Sequence, residues 1–221
     1  RSSVTNLVIA VGFNDMPSGK FLTFEGIEGA GKSTQIDLLA QYLEGLGYEV
    51  VVTREPGGTV LGELLRDLLL DDRQKNIVPM AELLVLAAAR AQHIEEKIKP
   101  ALKSGKWVLC DRFNDSSIAY QGAGRGLGVF RVQKLMDLVF ERFTPDLTVI
   151  FDLEWKEGLR RATKNSEGDR FEKEGSKFFK PVRDAFLSLS KKDSRYKVLD
   201  ASSPIEAIQN ELRLFIKTRF F

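Results

Sequence analysis

Residues 21–35 read Phe-Leu-Thr-Phe-Glu-Gly-Ile-Glu-Gly-Ala-Gly-Lys-Ser-Thr-Gln, an apolar strand running into Gly26-x-x-x-x-Gly31-Lys32-Ser33. Glycines followed by Lys-Ser form a loop whose backbone amides wrap nucleotide phosphates, so this segment confines the chain to folds where a strand, a loop and a helix meet at an anion. Lys32 adds a mobile positive charge, Ser33 supplies a hydroxyl for Mg²⁺, and the helix that starts there points its positive end at the same phosphates. A glycine turn that merely caps a helix explains neither the Lys32-Ser33 pair nor the strand before it.

Apolar strand candidates fall at 21–25, 49–53, 106–110, 147–152 and 196–199, separated by stretches with helical spacing. Helices are expected at 32–46, 63–70, from Pro79 to near Pro100, and over 131–143, 155–164, 176–191 and 204–219. The alternation predicts an α/β fold with a five-stranded parallel sheet flanked by helices. A single domain is expected over 20–221. Residues 1–19 read as an N-terminal extension of non-native character, with Met16, just before the first strand, as the expected native start. Its apolar stretch 7–13 is too short to span a bilayer.

Charge narrows the partners. The chain has 33 basic and 31 acidic side chains, a net charge of +2, too balanced for nucleic acid as a general partner. Cys110, the single cysteine, lies in an apolar run and reads as a buried inert thiol; His93 is the single histidine, which leaves little material for a His-based metal site or a triad. With no run long enough for a membrane, the cytoplasm is the expected compartment.

Val108-Leu-Cys-Asp111 is an apolar strand ending in an acid, which in a phosphate-loop protein puts a carboxylate beside Mg²⁺. Arg112 follows it, and Arg54 ends the second strand. Carboxyl ends of parallel strands line the ligand crevice, so both arginines are expected to converge on a second anion; a plain surface ion pair is the other reading of Asp111-Arg112. Glu28 inside the phosphate loop would repel phosphate, so it should point outward, toward an acceptor hydroxyl; an incidental exposed Glu is the other reading. The polar stretch 163–175 reads either as a solvated connector or as a mobile lid that brings Arg160, Arg161 and Arg170 onto phosphates.

Taken together, these residues resemble thymidylate kinase in its bacterial form, over nearly all of 20–215. The resemblance rests on Phe24-Glu-Gly-x-Glu-Gly-x-Gly-Lys-Ser-Thr-Gln35, Thr53-Arg-Glu-Pro-Gly-Gly-Thr59, Leu83 to Arg90 with Gln92-His93, Asp111-Arg112-Phe113, Asp115-Ser-Ser-x-Ala-Tyr-Gln-Gly122 and Pro145-Asp-Leu-Thr148, with Asp169-Arg-Phe-Glu172 and Val198-Leu-Asp-Ala201 beyond. It implies transfer of the ATP γ-phosphoryl group to dTMP, giving dTDP and ADP on the way to dTTP, by a cytoplasmic homodimer that uses Mg²⁺ and contacts neither nucleic acid nor membrane.

On matching positions the resemblance implies that Gly26, Glu28, Gly29, Ala30, Gly31, Lys32, Ser33, Thr34 and Arg161 bind ATP, and that Ser33 and Asp111 hold Mg²⁺. Arg54 and Arg112 clamp the acceptor phosphate with Arg66 and Glu55 beside them; Arg90 and Gln121 read the thymine edge, Ser116 and Ser117 line the base pocket, and Glu28 approaches the 3′-hydroxyl. Catalysis falls to Lys32, Glu28, Arg112, Arg160 and Arg170. One position departs from the family pattern: Leu86 stands where Phe usually stacks on the base. An adenylate kinase would carry Pro at position 28 and Gly at 33, whereas dUMP or dGMP as acceptor, and a nucleotide-switched binding protein, stay open on sequence.

Overall fold

The computed structural model describes residues 19–71, 73, 76–162, 171 and 174–221; the extension read over 1–19 lies, but for Gly19, outside them. Every residue of β1 (Phe21–Glu25) is buried, as a strand with neighbours on both sides requires. It pairs in parallel with β3 (Trp107–Asp111) and β4 (Leu147–Asp152). β2 (Val50–Arg54) adds beside β3, and β5 (Tyr196–Asp200) beside β4, giving the order β2-β3-β1-β4-β5. The chain leaves β1 toward one flank and later crosses to the other, so the carboxyl ends of β1 and β3 open on the crevice where such sheets bind ligands. The expected five-stranded parallel sheet is present, with strand ends within a residue of their predicted positions.

Helices cover the sheet. α1 (Lys32–Gly45) lays Ile36, Leu39 and Leu43 on β1–β3 and packs against α9 (Ile205–Phe220). α8 (Ser176–Leu189) buries Phe178, Phe179, Val182 and Phe186 against β4 and the segment after β3. α7 (Trp155–Ala162) leads from β4 toward the stretch expected to form a lid.

Several boundaries differ from the sequence reading, each for a local reason. α2 (Val60–Leu70) starts three residues early because the Thr59 hydroxyl accepts the Gly62 N–H at 3.0 Å. α3 (Pro79–His93) does not stop near Pro100: a π turn, Ile94–Ile98, with its wider bond spacing, absorbs the break, and α4 (Lys99–Lys103) continues it. α6 (Val129–Val139) ends before 143, since Glu141 and Arg142 take the left-handed conformation at φ 49° and 59°. The sequence reading had no helix at 114–124, where α5 (Asn114–Ser117) and a second π turn, Ile118–Gly124, lie directly after β3. Among the described residues no helix is long and apolar enough to cross a membrane.

Candidate active site

The phosphate loop joins β1 to α1. Gly31 sits at φ +80°, and a Cβ there would meet nothing within 4 Å, so this position leaves open space above the helix start for an anion. Gly29 serves contact with the protein instead: a Cβ would come 2.0 Å from the Gly158 carbonyl oxygen, so α7 packs directly on the loop. Lys32 is buried and reaches across the loop, donating to the carbonyls of Gly26 at 3.2 Å and Ile27 at 3.1 Å. Burial, and secondly the Arg112 charge, hold its ammonium below the usual lysine range. Ala30 is buried beneath the loop, and Ser33 and Thr34 are exposed at the start of α1.

The Ser33 hydroxyl donates to Asp111 Oδ2 at 3.4 Å, a long contact. Asp111 Oδ1 is buried and has no hydrogen-bond partner. The Ser33 hydroxyl meets one carboxylate oxygen of Asp111 while the other has no partner, and hydroxyl and carboxylate oxygens are donors of the kind Mg²⁺ takes, so these two residues fit that ion.

Beside the loop opens a cleft of about 210 Å³, more than ten times the room one water needs. Its wall includes Glu28, Glu55, Arg66, Leu86, Arg90 and Arg112. Ser116, Ser117 and Gln121, also expected from sequence, line it too, and Pro56, Leu70, Tyr120 and Phe171 join them. Glu28 turns its carboxylate out of the phosphate loop and into this cleft, where it accepts from Arg112 Nη2 at 2.9 Å and from the Tyr120 hydroxyl at 2.8 Å. Arg112 also donates to the Gly26 carbonyl at 3.0 Å and to Ser116 Oγ at 3.2 Å, and it lies over the Tyr120 ring at 4.9 Å. Its backbone sits at φ 68°, an unusual conformation for a side chain of this size.

A family model described as thymidylate kinase matches residues 24–212. The chain belongs to the thymidylate kinase family. It is 48% identical over 201 residues to thymidylate kinase of Pelobacter propionicus, covering 88% of this chain and 92% of that one. It is 50% identical over 196 residues to the enzyme of Pseudomonas fluorescens strain Pf-5, covering 88% and 93%. The crystal structure of thymidylate kinase from Ehrlichia chaffeensis superposes with a TM-score of 0.74 at 38% identity, over 91% of this chain and 99% of that one. As a thymidylate kinase the protein transfers the γ-phosphoryl group of ATP to dTMP, yielding dTDP and ADP.

Not every residue expected from sequence reaches the cleft of this thymidylate kinase. Arg54 is absent from its wall: its guanidinium is half exposed and donates to Glu63 Oε2 at 2.7 Å, drawn there by the first turn of α2. Arg160 and Arg161 are both paired with Glu157 on their own helix, and Arg161 also donates to the Ala201 carbonyl at 3.1 Å. Arg170 and most of the 163–175 segment lie outside the described residues. Of that segment, Phe171 borders the cleft and Glu174 pairs with Arg125.

Sequence reasoning passed over two supports of this site. Tyr120, which holds Glu28, stands in the sequence only as one member of a longer motif. Glu25, the last residue of β1, was not singled out. Fully buried, it accepts from the N–H groups of Phe113 at 2.8 Å and Ser116 at 3.3 Å and lies 2.6 Å from Ser116 Oγ, capping α5, which has no side-chain cap of its own. Burial first, and then the Asp115 charge, push the Glu25 carboxyl up to about 8. Between the ordinary value of 4.5 and about 8, the folded chain keeps a proton that the unfolded chain has lost. Raising the pH through that window therefore costs stability. Glu25→Gln should remove this slope, gaining on the order of 3 kcal/mol over wild type between pH 5 and pH 9. Parallel melting curves for the two proteins across that range would disprove the assignment.

Glu55, His93 and Cys110 bring potential metal-ligating atoms within 4.8 Å of one another, an assembly from three segments that the lone His93 and lone Cys110 did not suggest in sequence. Hydrogen bonds already occupy them. The His93 ring nitrogens meet Glu55 and Thr53, and the Cys110 thiol donates to the Arg112 carbonyl at 3.1 Å. Burial holds that thiol well above the usual range, in keeping with the inert role expected of it.

Proposed function

We propose that dTMP occupies the cleft while ATP lies along the phosphate loop, with Glu28 forming the wall between the two. One observation carries this reading: the Glu28 carboxylate leaves the phosphate loop for the cleft and is held there by Arg112 and Tyr120. A loop residue shared in this way ties the donor and acceptor positions to one rigid element.

In this arrangement Arg112 and Arg66 face the acceptor phosphate, and Arg90, Ser117, Leu86 and Gln121 face the base. Gln121 spends one amide hydrogen on buried Glu82 at 2.8 Å, which sets the orientation of the rest of its amide. Ser33 and Asp111 would hold Mg²⁺, which when bound neutralises charge on the donor's phosphates. An acceptor phosphate oxygen forms the new bond to the γ-phosphorus as the bond to the β-phosphate oxygen breaks, and ADP departs with that electron pair. The acceptor is already an anion, so no general base is needed; Lys32 and the arginines have only to offset the repulsion between two phosphates. Arg160 and Arg161, on the helix that packs against Gly29, add to that charge once released from Glu157.

The deciding experiment couples ADP release to a spectrophotometric assay with dTMP, dUMP, dGMP and AMP as acceptors. Strong preference for dTMP is expected. ADP release that ignores the acceptor would leave a nucleotide-switched binding protein instead. Leu86 offers a finer test of where the base lies. It borders the cleft on α3 one turn before Arg90, and Leu86→Phe should tighten dTMP by about 0.5–1.5 kcal/mol through stacking. Unchanged affinity in calorimetry for both Leu86→Phe and Leu86→Ala would move the base elsewhere.

The protein also acts as a homodimer in this reading. Leu61, Leu64 and Leu68 of α2 form an exposed stripe at helical spacing, and Leu84 of α3 and Leu138 of α6 are exposed on neighbouring helices. Sedimentation at micromolar concentration should give twice the chain mass, and Leu64→Glu should restore the monomer.

A further inference from the structure

We infer that His93 is a positioning residue for recognition of the acceptor base: it locks Glu55, and Glu55 locks Arg90. The inference rests on the reading of Arg90 as a group that faces the base.

Arg90 is 2% exposed, and its direction is set by what its nitrogens meet. Nε donates to Glu55 Oε2 at 2.5 Å, Nη1 to Ser117 Oγ at 3.0 Å and Nη2 to the Phe113 carbonyl at 3.0 Å. The carboxylate is the one charged partner among these three, so where Glu55 points, the guanidinium follows. A carboxylate held by one oxygen can still swing about its own bonds. Here the second oxygen, Oε1, is 3.0 Å from His93 Nδ1, and that freedom is gone.

His93 has no surface exposure and is not part of the cleft wall, so it acts on the ligand only through Glu55. Its other nitrogen, Nε2, lies 2.8 Å from Thr53 Oγ1. A carboxylate paired with a guanidinium accepts, so Nδ1 carries the hydrogen; in the neutral imidazole Nε2 then accepts from the Thr53 hydroxyl. Arg90 and His93 are three residues apart on α3 and share a face, which lets one carboxylate bridge both. The turn after Glu55 is closed onto the imidazole as well. A Cβ at Gly58 would come 2.5 Å from His93 Nε2 and 2.7 Å from Thr53 Oγ1, so only glycine lets the chain pass there. The Thr53–Thr59 and Gln92-His93 motifs, distant in sequence, thus form one relay that runs Thr53, His93, Glu55, Arg90 toward the cleft. An imidazole with both nitrogens engaged and a turn shaped around it exceeds what filling a core requires; an apolar side chain would fill the same space without polar groups to satisfy.

The test exploits the single histidine of the chain. In unaltered protein labelled with ¹⁵N-histidine, dTMP should shift the imidazole Nδ1 signal and that of its proton, and ADP with Mg²⁺ should leave both in place. An Nδ1 signal indifferent to dTMP overturns the inference, whatever happens to the variants. Loss of one hydrogen bond to a buried charged group predicts that His93→Ala raises KM for dTMP about tenfold while kcat and KM for ATP change less than about twofold. His93→Asn keeps a donor at the Nδ1 position and should stay within about threefold of wild type. Equal damage from Ala and Asn, or an ATP KM that moves with the dTMP KM, means a purely structural histidine and sinks the relay. Arg90→Lys separates the two readings. If it raises KM for dTMP and His93→Ala does not, His93 alone is overturned; if Arg90→Lys leaves KM for dTMP untouched, the base assignment fails and the relay falls with it.

Discussion

In Lys32→Met, kcat is expected to fall about a thousandfold, the scale on which a preorganised donor to transition-state charge is lost. The side chain is buried and crosses the phosphate loop to the carbonyls of Gly26 and Ile27. Those contacts hold the ammonium within the phosphate loop, and in the proposed arrangement charge grows beside it as the γ-phosphoryl group moves between two oxygens. The same burial, with Arg112 close by, holds the ammonium below its usual range, so folding bears a cost for carrying it charged. A thioether of similar length removes that cost. Thermal unfolding of Lys32→Met should therefore match or exceed wild type while turnover collapses, a separation of function from stability that a packing role would not produce. Near-normal turnover in the coupled assay would remove the phosphate-loop mechanism.

Arg112→Ala should raise KM for dTMP by about 2–5 kcal/mol in binding terms, the penalty for truncating one partner of a desolvated charge pair. The guanidinium binds the Gly26 carbonyl, Ser116 Oγ and Glu28 at once, so its loss also leaves Glu28 as an unopposed negative charge in the cleft proposed for the acceptor phosphate. Arg54→Ala supplies the contrast. That side chain is half exposed and paired with Glu63, and an exposed pair is worth about 1 kcal/mol or less. Measured dTMP affinities that fall equally in the two variants would return Arg54 to the acceptor site and require its pairing with Glu63 to open on binding. An Arg112→Ala protein with intact dTMP affinity and poor ATP binding would exchange the two half-sites.

Much of this enzyme was legible along the chain. Apolar runs alternating with helical spacings suffice to predict five parallel strands, because burial on both faces leaves a continuous apolar run in each inner strand and burial on one face leaves a helical period in each covering helix. The phosphate loop and the pairing of Ser33 with Asp111 were readable for a related reason: both depend on backbone ends, and a parallel sheet sends the carboxyl ends of its strands to one crevice. Side-chain direction carries no such record. Arg54 ends its strand where the rule demands, yet Glu63, nine residues on, takes its guanidinium away from the cleft. The helical segment at 114–124 was invisible because its cap is supplied by Glu25, 88 residues before Phe113, and a short polar run does not hold a helix without one. The chain by itself thus determined the fold, the donor loop and the family to which both belong. Tertiary structure decided which buried charges meet, bringing Glu55 to Arg90 and His93 across gaps of 35 and 38 residues, because an ion or imidazole in the core is stable only where separate segments deliver its partners to within hydrogen-bond distance.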